Sequence, residues 1–189
     1  WALYQDQETR LATPAAAALN LVTVDSTGVP KKTSGSHAER EASGPRTYTL
    51  TVGEEKIDLS QKNLGSADVA LVAVWLQRPD VVVTSINCLN NPLGDGVQDI
   101  MKVFEETPRL RTLCGLEEGA EQIHWSKSGK GPADVALLAA ELIAGRAGAA
   151  VEVVAIGGNP IGSEGGATLL ETIKTSKLKT IDIGKPLPL

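Results

Sequence analysis

Short apolar-x-apolar pairs alternate along most of this chain with longer stretches in which apolar residues recur every three or four positions. The pairs are Ile57/Leu59, Ile86/Cys88, Ile123/Trp125, Val154/Ile156 and Ile181/Ile183. Their period of two predicts short strands with one side turned to a core. Between them, Val69, Val72 and Leu76, and again Val135, Leu138 and Leu142, lie on one helical stripe. Gly166, Leu169 and Ile173 keep that spacing, and Val97, Ile100 and Phe104 nearly keep it. Pro79, Pro108 and Gly145 stand where the first three helices should end. Each predicted unit is a strand, a short loop ending in Leu or Ile plus Gly, and an amphipathic helix.

The units repeat in pairs. Residues 65–76, GSADVALVAVWL, recur 66 residues later as GPADVALLAAEL, with eight of twelve positions identical. Asn91-Pro92-Leu93-Gly94 recurs as Asn159-Pro160-Ile161-Gly162, displaced by 68. Successive strand pairs are 29, 37, 31 and 27 residues apart. The long step is resolved if Leu113 begins its own strand and Cys114 to Gln122 is an insertion before Ile123. Thr49-Leu50 followed by Val52 to Lys56 has the same form, so the insertion belongs to the doublet.

Residues 83–93, VTSINCLNNPL, and 151–161, VEVVAIGGNPI, resemble the leucine-rich repeat pattern L-x-x-L-x-L-x-x-N-x-L. The repeat length and following helix are similar to the ribonuclease-inhibitor-like class, over about residues 50–189. Lys62, Ser128 and Pro186 depart from the Asn position, and Glu54 or Ala120 from the first Leu. The resemblance implies an α/β leucine-rich repeat solenoid, a horseshoe arc of five to six units with parallel strands on the concave side and helices on the convex side. It also implies that Asn91 and Asn159 are buried structural residues holding loop backbone. Stacking in register lets such units bury a common core. Residues 1–49 read as a degenerate N-terminal repeat or cap, with Val22-x-Val24 and Val29 as a strand and loop and an exposed loop near 31–44.

Composition narrows the function. Aromatics are 3% of the chain, so small aliphatic side chains must fill the interior. The formal charge of −5 argues against a general nucleic-acid or anionic-membrane binder. No run reaches the roughly 18 apolar residues of a membrane span, which predicts a soluble chain. Two cysteines are too few for a disulfide framework and favour a reducing intracellular or organellar compartment. Of these, Cys88 is expected inward in the core and Cys114 outward as an exposed thiol. Trp125 is expected in the core, and Trp75 half exposed at a helix end.

These features point to a non-catalytic protein-binding or scaffold module, or a structural subunit of a larger assembly. No catalytic set, cofactor site or metal-ligand spacing is expected. Strand alternation assigns Asp58, Asn87, Leu89, Asn90, Arg111, Cys114, His124, Lys127, Glu152, Ala155, Asp182 and Lys185 to a partner-binding concave face. The alternative is an α/β nucleotide-binding protein or enzyme using the Gly-rich loop 157–166, where helix N-terminal N–H groups attract phosphate. The glycine spacing there matches neither the dinucleotide nor the P-loop pattern.

Overall fold

The computed structural model describes residues 21–27 and 46–184. Its elements run β1 (Leu21–Asp25), β2 (Thr47–Thr51), β3 (Lys56–Asp58), α1 (Ser66–Leu76), β4 (Ser85–Asn87), α2 (Gly96–Glu106), β5 (Gln122–His124), α3 (Pro132–Ala144), β6 (Val153–Ala155), α4 (Gly162–Thr175) and β7 (Thr180–Asp182). A short 3-10 turn, Ala147–Ala150, joins α3 to β6.

The horseshoe arc of one continuous parallel sheet does not form. The strands fall into three small sheets: β1 with β2, β3 with β4, and β5 with β6 and β7. Two causes are visible. Val22-x-Val24 does lie in a strand, but it pairs antiparallel with β2, Val22 opposite Leu50 and Val24 opposite Tyr48, so this region is a ribbon and not a strand–helix unit. Val29 and the 31–44 loop lie outside the described residues. In the middle of the chain, Thr112 bridges Ser85 as a third parallel rung. Leu113 and Cys114 are then both buried, and Gly115 takes a φ of +68°. Alternation ends there, and a carboxylate of α3, not β5, receives the N–H groups of Leu113 and Cys114.

Within the units, local chemistry explains the elements. Asp68 sits three residues into α1 and accepts the Gly65 N–H at 2.8 Å, and Asp134 does the same for Gly131 in α3. Each carboxylate thus meets a helix N-terminal donor that has no partner within the helix. Helix α3 ends on Gly145, whose φ of +60° is the left-handed conformation that glycine adopts without a Cβ clash. Helices α1 and α2 stop at Leu76 and Glu106, short of Pro79 and Pro108.

The doublet appears in the packing. A Cβ added to Gly96 of α2 would lie 3.0 Å from both Ser66 Cα and Val69 Cβ of α1. Gly165 of α4 approaches Val135 of α3 in the same way, at 3.4 Å. Two helix pairs therefore cross at a glycine set against equivalent valines. Arginines tie successive units together: Arg109 donates to the carbonyls of Leu76 and Arg78, and Arg146 to those of Phe104, Thr107 and Leu110. These are orphan carbonyls at the ends of α1 and α2.

Although the sheet is broken, one apolar cluster runs from Tyr48 to Leu178. Ile57, Ile86, Leu113, Ile123 and Val154 enter it from the strands, and both predicted helical stripes enter it from α1 and α3. Three expectations about single residues change. Trp75 is buried, with its indole N–H unpartnered among the described residues. Trp125 is only partly buried, under the Lys130 ammonium at 5.2 Å from the ring centroid. Ile183, expected inward beside Ile181, is 69% exposed because Gly184 turns the chain at a φ of +80°.

Candidate functional site

Register aligns the outward residues of the parallel strands in rows. Lys56, Ser85 and Thr112 form one row, and Asp58, Asn87 and Cys114 the next. On the other parallel sheet the rows are Gln122, Val153 and Thr180, then His124, Ala155 and Asp182. The rows between them are apolar and inward, so each sheet has a core side and an outer face.

The residues assigned to a binding face divide accordingly. Asp58, Arg111, His124, Lys127 and Asp182 are exposed, while Asn87, Asn90, Glu152 and Ala155 are half-buried. His124, Ala155 and Asp182 stand side by side across three strands. Glu152 is paired with Lys179 at 2.7 Å and Arg111 with Glu118. Asn90 lies off the rows, its N–H donating to Asp134 Oδ1 at 2.7 Å. Lys185 lies outside the described residues.

Two of the assigned residues are not on the face. Leu89 is buried, because the chain turns inward after β4: Asn87 Oδ1 accepts the Leu89 N–H, and Asn90 follows at a φ of +58°. Cys114 is also buried, 4% exposed, because the bend at Gly115 directs its thiol to the Glu141 carboxylate. Burial pushes that thiol well above its ordinary range, and the neighbouring carboxylate adds to the effect. Cys88, inward as expected, is pushed up to about 12, mainly by burial and then by Glu141 and Asp58.

Asn91 and Asn159 hold loops. Asn91 Nδ2 donates to the carbonyls of Leu59, Cys88 and Leu89, and its Oδ1 accepts the Leu64 N–H. Asn159 Nδ2 donates to Trp125 and Ile156, and its Oδ1 accepts from Ser128 and Lys130. Asn91 is buried, whereas Asn159 is only half-buried. Between the two loops lies an open polar hollow of about 410 Å³, lined by Gln61, Asn90, Asn91, Ser128, Gly129, Gly131 and Asp134.

The Gly-rich loop 157–166 offers less room than its sequence implies. A Cβ on Gly157 would lie 2.6 Å from the Ile183 carbonyl, and one on Gly158 would lie 2.9 Å from Lys127 Cγ. The close approach that glycine permits at these positions is thus taken by the chain itself.

Sequence reasoning missed Glu141. It is fully buried in α3, its Oε1 accepts from Leu113 and Cys114, and its Oε2 has no partner. Burial raises its pKa against the lowering effect of Thr112, Cys114 and the backbone donors. The signal was present, since a Glu stands here where the matching helix has Trp75. The Tyr48–Asp68 contact, at 3.1 Å, was also missed; burial, followed by the Asp68 charge, raises the phenol's pKa.

Among the described residues no group of three His, Cys, Asp or Glu side chains is arranged to hold a metal ion. No described helix is long and apolar enough to cross a membrane. Comparison of the sequence with protein-family models and with curated proteins finds no match to either.

Proposed function

We propose that this chain is a non-catalytic protein-binding or scaffold module whose units carry the leucine-rich repeat pattern and whose outer strand faces meet the partner. The observation that carries this reading is the in-register row His124, Ala155 and Asp182, with exposed side chains of both signs backed by a packed core. Such a row presents fixed spacing at little cost in side-chain entropy, because the strand backbone is already ordered. Mixed charge suits a protein surface better than a ligand of one sign. The buried nucleophiles and acid, Cys88, Cys114 and Glu141, have no exposed route to a substrate, which favours binding over covalent chemistry.

A photo-crosslinking residue placed at His124 or Asp182, in native extract, tests this. Protein adducts from those two positions and few from Leu170, which projects from α4 at 64% exposure, are expected. Adducts confined to Leu170 would overturn the outer-face reading and favour a second one, a structural subunit held by its helices. That second reading draws support from the exposed Val74, Ile143 and Leu170 on α1, α3 and α4. Nucleotide binding at the Gly-rich loop is disfavoured by the filled approach to Gly157 and Gly158.

A further inference from the structure

The two parallel sheets have equivalent outer faces, and they are treated differently. On the β5–β7 sheet, His124 and Asp182 are exposed. On the β3–β4 sheet, the chain after Cys114 folds back across the face before reaching β5. Gly115 lies so close that a Cβ there would be 3.1 Å from Asn87 Cβ. Glu117 reaches Lys56 at 3.9 Å. Lys56 lies in one row with Ser85 and Thr112, so this contact spans two strand spacings, roughly 10 Å. Glu118 pairs with Arg111. The segment then returns to the other sheet, where the Glu121 carbonyl accepts the N–H groups of Glu152 and Val153.

We propose that residues 115–121 act as a built-in competitor on the outer face of β3 and β4, and that this face takes an acidic, extended peptide from a partner. The inference rests on the binding reading above and names the partner's chemistry. The segment itself shows what the face accepts: carboxylates set over Lys56 and Arg111. Its ends are fixed at Gly115 and Glu121, but its middle is held by ion pairs between side chains that are 70% and 82% exposed in one case and 47% and 65% in the other. Pairs this exposed are weak and screened by salt. Tethering therefore supplies most of the competition, through effective concentration. A longer acidic segment that reaches Lys56, Arg111 and the Asn87 amide together displaces it. The chain's net charge of −5 does not prevent this, because screening beyond about 8 Å leaves the local cations dominant.

The test uses the full chain and a fluorescein-labelled peptide of alternating Glu and Gly, read by fluorescence anisotropy at low salt. Glu117→Gln with Glu118→Gln is expected to bind roughly fivefold tighter than the parent, the equivalent of releasing about 1 kcal/mol of competition. Adding Lys56→Gln and Arg111→Gln should abolish binding, as should about 0.5 M salt. Equal affinity of the parent and the double glutamine variant, or binding that survives loss of both cations, overturns the proposal. Crosslinking through His124, on the other sheet, reports the binding reading independently. Retained adducts beside a failed peptide test reject the competitor and leave that reading intact.

Discussion

Glu141 Oε1 accepts the backbone N–H of Leu113 at 2.5 Å, so a side chain of α3 completes hydrogen bonding at an edge where β6 completes that of β5. The same residue explains why the two parallel sheets stay separate. Once the carboxylate takes the N–H groups of Leu113 and Cys114, β5 has no ladder to join on that side. The cost appears at Oε2, which is buried without a partner, and in the raised pKa that follows from burial.

Glu141→Gln is therefore expected to stabilise the protein at neutral pH. A pKa above the unfolded value of about 4.3 means that the folded state binds the proton more tightly. The stability contributed by that proton is fully present below about pH 4.3 and is lost as pH rises through the folded pKa. Between the two pKa values the loss is about 1.4 kcal/mol for each step of one in pH. Glutamine keeps the acceptor for Leu113 and Cys114 without the charge. Urea unfolding at pH 4 and pH 7 should show the variant's advantage growing with pH. Glu141→Ala, by contrast, leaves both donors unpaired and should cost on the order of 3 kcal/mol. A glutamine variant less stable than the parent at pH 7 would refute this account.

Asn91 satisfies three carbonyls and one N–H while buried, whereas Asn159 makes four comparable bonds half in water. Water can replace part of what Asn159 supplies but little of what Asn91 does. Asn91→Ala should cost about 3 kcal/mol and Asn159→Ala about 1 kcal/mol. Thermal unfolding of the two variants checks the ranking, and equal losses would show that burial is not what separates them.

What could be read from the chain and what could not differ in physical kind. Helices α1 and α3 were legible because Asp68 and Asp134, the two apolar stripes and the terminal breakers all agree locally. The outward placement of His124 and Asp182 was legible because strand alternation is a short-range rule. The sheet breaks depend on partners far apart in sequence. Val22 could equally serve a parallel or an antiparallel strand until Leu50 and Tyr48 are known to face it. Cys114 was assigned outward by continuing an alternation that Gly115 ends. Leu89 failed for the same reason, one residue beyond the last regular position of β4.

At the crossing of α1 and α2, Gly96 has no space for a side chain: an added Cβ meets Ser66 backbone and Val69 Cβ at 3.0 Å. Gly96→Ala must push the helices apart and should cost about 1–3 kcal/mol. Gly166 in α4 has nothing within 4 Å of an added Cβ. Its replacement by alanine should stabilise by about 0.4–1 kcal/mol through reduced freedom of the unfolded chain. Opposite shifts in urea midpoint are expected, and a shift of the same sign in both would count against the close-packed crossing.

The two cysteines provide the last test, because the position of Cys114 is where sequence and structure disagree most sharply. An outward thiol on a strand would react with Ellman's reagent within minutes at pH 8, near the ordinary thiol pKa of about 8.5. Here Cys88 and Cys114 are 3% and 4% exposed. Burial, reinforced by Glu141, shifts both thiols upward, Cys88 to about 12. Neither should be labelled in the folded protein at pH 8, and both should be labelled in guanidinium. Glu141→Gln removes the nearby charge but not the burial, so its thiols should remain protected as well. Rapid labelling of one thiol in the native parent would place Cys114 back on the surface. It would also remove the bend at Gly115, and with it the path that carries residues 115–121 across the face of β3 and β4.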